Sequence, residues 1–128
     1  MGRAYVDSDI LIWHLRGDAR AATLLRQLAA EPETELWVGA LQRAEVVFFM
    51  RPNETAATLR LMAQFQTHPV TEDVVDHAGA IFRRWHPSHA IDVNDALLAA
   101  MAIGLHARLF TLNVKHYPVP GLNVVKGW

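Results

Sequence analysis

The sequence predicts an α/β fold, a three-layer sandwich with a mostly parallel central sheet flanked by helices. Three observations lead there. Short apolar runs bounded by turn residues alternate along the chain with longer runs of helical spacing. Hydrophobic residues make up 52% of the chain, which argues against a disordered chain. At 128 residues the chain suits one domain, residues 1–128, with a full core.

The elements follow in order. Arg3 to Val6 predicts a buried strand ending at Asp7. Ser8 is placed to cap a helix running to about Leu15, before the turn at Arg16-Gly17-Asp18. Ala19 to Ala30 has helical apolar spacing, broken by Glu31-Pro32-Glu33. Leu36 to Val38 predicts a second strand, and Leu41 to Met50 a helix stopped before Pro52. Asn53 would cap a helix from Glu54 to Phe65. His68 to Val70 is a short extended piece, Thr71 to Trp85 a helix, and Pro87 closes that region. Asp92 would cap a helix reaching Leu105, with Asp95 three residues on, close to a capping box. Strands at Arg108 to Thr111 and Leu122 to Val125 complete the pattern.

Composition excludes several classes. There is no cysteine, so there is no disulfide, thiolate metal site or Cys nucleophile. Net charge is −1, far from the basic balance that holds nucleic acid by electrostatics alone. The longest apolar stretch, Ala96 to Leu105, is about half the ~20 residues that span a bilayer. Met1 to Asp7 leaves no room for a signal peptide before a charge. The expectation is a cytoplasmic protein without a membrane segment. No His-Glu-x-x-His, Gly-rich phosphate loop or Gly-x-Ser-x-Gly elbow occurs. His86-Pro87-Ser88-His89 reads as surface.

The acids carry the chemistry. Open parallel sheets place their sites outside the carboxyl ends of the strands. Asp7 follows the first strand and Asn113 follows the strand near the C-terminus, so both fall on one sheet edge. Asp7 is a site residue or a helix cap. Glu45 shares a helix face with Leu41, Phe48 and Phe49, and a carboxylate in that stripe needs a partner, either an arginine or a metal. Asp95 is a first-turn acid favoured by the helix dipole, or a cation ligand, while Asp92 is the N-cap. Acids converging from distant segments suggest a hard divalent ion such as Mg²⁺.

At these places the sequence resembles the PIN-domain family, and within it the VapC-type toxins of bacterial toxin–antitoxin pairs. The resemblance lies in Val6-Asp7-Ser8-Asp9-Ile10-Leu11-Ile12, Ala44-Glu45-Val46, Asp92-Val93-Asn94-Asp95-Ala96-Leu97-Leu98-Ala99-Ala100, and Thr111-Leu112-Asn113-Val114-Lys115-His116-Tyr117. One departure is plain: where the family's fourth acid is expected, this chain has Asn113 and His116. Leu112 also stands where an Arg is common.

The resemblance implies a PIN-like sandwich and metal-dependent hydrolysis of RNA. Asp7, Glu45 and Asp95 would hold Mg²⁺ or Mn²⁺, directly or through waters, and Asn113 could add an oxygen. Three acids in place of four would hold a second ion weakly, leaving one metal or two open. Ser8 would position a water or ligand beside Asp7. Asp9 would support the shell or orient Arg16. A cognate VapB-type antitoxin and a homodimer are the implied partners, with Trp13, Phe48, Phe49, Met50 and Trp85 as material for such surfaces. Alternatives remain: a catalytically degenerate PIN domain acting as a binding module, a DNA nuclease, or a haloacid-dehalogenase-like phosphatase built on Asp7-Ser8-Asp9.

Overall fold

Five parallel strands run through the centre of the molecule. The computed structural model describes residues 2–128. The strands are β1 (Gly2–Val6), β2 (Thr34–Gly39), β3 (Gln66–His68), β4 (Arg108–Thr111) and β5 (Asn123–Lys126). The helices are α1 (Ser8–Leu15), α2 (Ala19–Ala30), α3 (Ala40–Phe48), α4 (Thr55–Met62), α5 (Glu72–His89) and α6 (Val93–Gly104). Strand order is β3-β2-β1-β4-β5, and every pairing is parallel. The chain winds outward from β1 on one side, then crosses to β4 on the other. The crevice for a ligand therefore opens at the carboxyl ends of β1 and β4.

Alternation along β1 divides the core. Ala4 and Val6 face a layer built on Ile10, Leu11, Leu25 and Met62. Tyr5 faces the opposite layer, where α6 lies buried along Ala96 to Ala102 against Leu109. Being buried almost all round, α6 fixes Asp95 rigidly at its N-terminal end. Among the described residues no helix is long and apolar enough to cross a membrane.

Several predicted boundaries move. Asp7, not Ser8, is the N-cap of α1, and its carboxylate accepts from the Ser8 N–H. Met50 lies past the end of α3, and Asn53 sits inside a 3₁₀ turn (Pro52–Glu54) that precedes α4. The third strand is Gln66–His68, so Pro69, which lacks a ladder donor, falls outside it. α5 runs through Pro87 to His89 and ends on Ala90 in the left-handed conformation, φ 52°. Pro87 costs little there, because the carbonyl it cannot bond belongs to exposed Arg83 near the helix end. The last strand is shifted by one residue from Leu122–Val125. β4 and the capping box of α6 fall where expected.

Candidate active site

β1 and β4 lie side by side, and the Asp7 N–H donates to the Phe110 carbonyl at 2.9 Å. This pairing sets Asp7 beside Thr111. Asp7 is 8% exposed and accepts on both oxygens. Ser8 N–H reaches Oδ1 at 2.8 Å, and the Thr111 and Tyr117 hydroxyls reach Oδ2 at 2.9 and 3.0 Å. Burial pushes the Asp7 carboxyl above its ordinary range, and the hydrogen bonds oppose that only in part.

Asp9 leans on the end of β4. Its Oδ2 accepts from Leu112 N–H at 3.0 Å and faces the Asn113 amide nitrogen at 3.4 Å, while Oδ1 accepts from Ile10 N–H at 2.7 Å. Burial, and then the neighbouring Asp7 charge, push its carboxyl up to about 6. Among the described residues no hydrogen bond or ion pair joins Asp9 to Arg16, and Arg16 does not line the cleft that Asp9 borders. Arg16 instead lines a neighbouring cavity that it shares with Glu45.

Glu45 comes in from α3. Its Oε1 lies 3.3 Å from the Ser8 hydroxyl. Burial raises its carboxyl, with further increments from the charges of Asp7, Asp92 and Asp95. Asp95 is held in a reciprocal capping box: Asp95 N–H donates to Asp92 at 2.7 Å and Asp92 N–H donates back at 3.0 Å. Burial raises Asp95 as well, against the His116 ring, whose Nδ1 lies 3.5 Å from Oδ2.

The expected residues therefore converge. Asp7, Ser8, Asp9, Glu45, Asp92 and Asp95 border one cleft of about 330 Å³, with Asn113 and His116 across from them. Arg16 is outside it. No lysine or arginine lines the cleft among the described residues; burial raises its carboxylates, the Asp7 charge adds to Asp9 and Glu45, and the His116 ring opposes the rise only at Asp95. That excess of hard oxygen donors fits a divalent cation. Among the described residues, no three His, Asp or Glu side chains form a ready-made cage. The donors thus suit an ion that keeps part of its water shell, as Mg²⁺ does.

Three residues had no role assigned from the sequence, although Thr111 and Tyr117 stand in its closing motif. Thr111 and Tyr117 bridge to Asp7, and Tyr117 Oη also lies 3.4 Å from Asp95 Oδ1. Gln42, 2% exposed, lines the cleft one turn before Glu45. A hydroxyl ending the apolar run of β4 was the available signal for Thr111. Tyr117 gave none, because its reach depends on the 3₁₀ turn Val114–His116.

The raised acids have a consequence for stability. A carboxyl whose folded pKa exceeds its ordinary value stabilises the fold fully below that ordinary value, and the contribution is lost as pH rises through the folded pKa. For Asp9 the window runs from 3.8 to about 6. Asp18 and Glu31, lowered to about 2, act only at more acid pH. Half-buried His68 is pushed down by desolvation and works in the opposite sense. The decisive comparison is therefore between variants. In thermal melts with chelator, Asp9→Asn is expected to lose less stability than wild type between about pH 4 and 7. Parallel curves would refute the assignment.

The molecule is thus a parallel α/β sandwich with an acid cleft at its switch point, where open sheets of this class bind their ligands. The family follows from comparison. The model of the PIN domain matches residues 4–122. The chain is 39% identical over 115 residues to Ribonuclease VapC10 of Mycobacterium tuberculosis, covering 89% of this chain and 85% of that protein. It is 38% identical to Ribonuclease VapC19 of the same organism, covering 89% and 91%. A toxin–antitoxin complex from Klebsiella pneumoniae shares the fold with a TM-score of 0.78, at 22% identity over 98% of both chains. DNA-bound VapBC from Salmonella typhimurium does so at 0.80, at 12% identity over 100% of both chains. This chain belongs to the PIN-domain family.

Proposed function

We propose that this chain is a Mg²⁺- or Mn²⁺-dependent endoribonuclease, a single-domain cytoplasmic toxin neutralised by a VapB-type antitoxin. The observation that carries this reading is the convergence of Asp7, Glu45 and Asp95 on a cleft free of Lys and Arg. The similarity to proteins named ribonuclease over most of their length, and the toxin–antitoxin complexes among the structural neighbours, support it.

In this reading Asp7, Glu45 and Asp95 hold the ion, directly or through waters. When bound, the metal supplies a water of lowered pKa and a counter-charge for the phosphoryl oxygens. The chain does the rest by positioning. Thr111 and Tyr117 each have one hydroxyl proton, and in each case the shorter contact is to Asp7, so those protons fix its Oδ2. Ser8 spans Asp7 and Glu45. Asp92 locks Asp95 through the capping box. Asn113 fills the fourth position with an amide whose nitrogen faces Asp9, which supports Asp9 at the strand end in place of an additional charge. His116 sits beside Asp95, where a proton on its ring would offset one carboxylate. Trp13 and Phe48, 43% and 78% exposed, are surface for the antitoxin or a second copy.

The phosphatase alternative requires a lysine near Asp7, and neither Lys115 nor Lys126 lines the cleft. The test sets the purified chain against RNA and single-stranded DNA, with Mg²⁺, Mn²⁺ or chelator. RNA cleavage that needs the metal, and that disappears in a folded Asp95→Asn variant, is expected. Equal digestion of DNA would make the chain a general nuclease. An inert wild type that still binds its antitoxin would make it a binding module.

A further inference from the structure

We infer that Gln42 is a further substrate-contacting residue, its amide N–H donating to a non-bridging oxygen of the phosphodiester cut at the acids. This rests on the ribonuclease reading and adds a group to that same site. Gln42 stands in the first turn of α3, three residues before Glu45, and lines the acid cleft with it. It is 2% exposed, yet no hydrogen bond of its carboxamide is found among the described residues, and its Oε1 is buried without a partner.

The carboxamide is oriented from behind. Gly39 ends β2 and precedes α3 at φ −75°, an ordinary value, so its backbone conformation does not call for glycine. The space does. A Cβ at position 39 would collide with Gln42 Oε1, and would lie 3.0 Å from Met101 Cε and 3.1 Å from the Tyr5 hydroxyl oxygen. The Tyr5 proton goes to Met101 Sδ at 3.5 Å and leaves Oε1 without a donor. With the carbonyl arm turned back onto Gly39, the diverging NH₂ arm of the planar amide is left to the cleft that Gln42 lines.

A buried carbonyl oxygen without a donor weakens the fold, and a methionine of similar length would fill the space without that loss. The amide is therefore explained by its other arm. Its neighbours are committed. Ser8 lies between Asp7 and Glu45, Tyr117 donates to Asp7, and the Asn113 amide faces Asp9. His116 turns Nδ1 to Asp95, and Asn94 is half-buried, where water satisfies its amide. The oxygens of a phosphodiester only accept, and ionised carboxylates that hold a cation have no proton to give. A lysine or arginine in place of Gln42 would pair with the acids and compete with the ion. A neutral amide donates without doing so. One preorganised N–H aimed at developing phosphoryl charge favours the transition state.

The test uses an oligoribonucleotide that wild type cuts at one mapped bond, made with sulfur at either non-bridging oxygen of that bond. Sulfur accepts a hydrogen bond poorly, and as a soft ligand it is taken by Mn²⁺ more readily than by Mg²⁺. One sulfur isomer is expected to slow wild type in a way that Mn²⁺ does not restore. Gln42→Met is expected to lower kcat on the all-oxygen RNA by roughly 10²-fold with KM little changed, and to abolish that unrestored slowing. Its thermal melt in chelator should match or exceed that of wild type, because the unpartnered oxygen is gone. Gly39→Ala, which drives the carboxamide out of place, should abolish the same slowing with Gln42 intact. The inference is overturned if neither isomer slows wild type, or if Mn²⁺ restores every slowed isomer. It is equally overturned if Gln42→Met cuts as fast as wild type or keeps the unrestored slowing. The wild-type sulfur pattern decides by itself should a variant fail to fold. A wild type that cuts no RNA with Mg²⁺ or Mn²⁺ fails the ribonuclease reading itself, before any sulfur is introduced.

Discussion

Asp7→Asn is expected to slow RNA cleavage by about 10²–10³-fold, the scale of losing one preorganised electrostatic group. The same change is expected to leave the metal-free protein at least as heat-stable as wild type. Asp7 is nearly buried, and its burial opposes ionisation. An amide of the same shape removes that charge from a poorly hydrated place. Its oxygen can keep the Ser8 N–H, and its nitrogen can donate to the Thr111 and Tyr117 hydroxyls, which rotate to accept. Loss of activity with gained or equal stability marks a residue kept for function against the interest of the fold. Single-turnover cleavage, paired with thermal melts in chelator, reads both. A stability loss that accounts for the lost activity would make Asp7 a structural cap only.

Tyr117→Phe is expected to move both quantities downward. The phenol is 6% exposed, donates its one proton to Asp7 Oδ2 at 3.0 Å, and sits 3.4 Å from Asp95 Oδ1, between the end of β1 and the start of α6. Removing it takes a donor from a buried carboxylate, at about 1–3 kcal/mol, or roughly 3–10 °C in the melting temperature. It also frees Asp7, a proposed ligand, to drift, an effect of about 10–100-fold for groups that orient metal ligands. The contrast with Asp7→Asn is diagnostic. Tyr117→Phe weakens the metal-free fold, and saturating Mn²⁺ should recover part of its activity. A variant as stable and as active as wild type would remove Tyr117 from the site.

How much of this was legible in the sequence depends on how local the cause is. Arg108 to Thr111 and the Asp92–Asp95 capping box are local patterns, a short apolar run and a three-residue spacing, and both form as read. Asp7, Glu45 and Asp95 share a cleft because parallel strands and their following helices point one way, which is a rule of topology. Boundaries failed where tertiary burial outweighed local signals. Asp7 caps α1 because β4 holds it there, and α5 continues through Pro87 because its exposed end tolerates the missing bond. Thr111 and Tyr117 stood in the closing motif, but their bonds to Asp7 were out of reach, since that partner lies more than a hundred positions away in the chain. Arg16 was misplaced for a related reason: as the C-cap of α1 it lies past the far end of that helix and lines the neighbouring cavity.

Central to the proposed activity is that Asp7, Glu45 and Asp95 together hold a divalent ion. Crystals of the active protein soaked in Mn²⁺ test it most directly through anomalous scattering. The expected map has a manganese peak in the cleft, within direct or water-bridged reach of all three carboxylates. That peak should vanish in Asp95→Asn crystals treated alike. A map with the cleft empty, from protein that cleaves RNA with Mn²⁺, would contradict the claim.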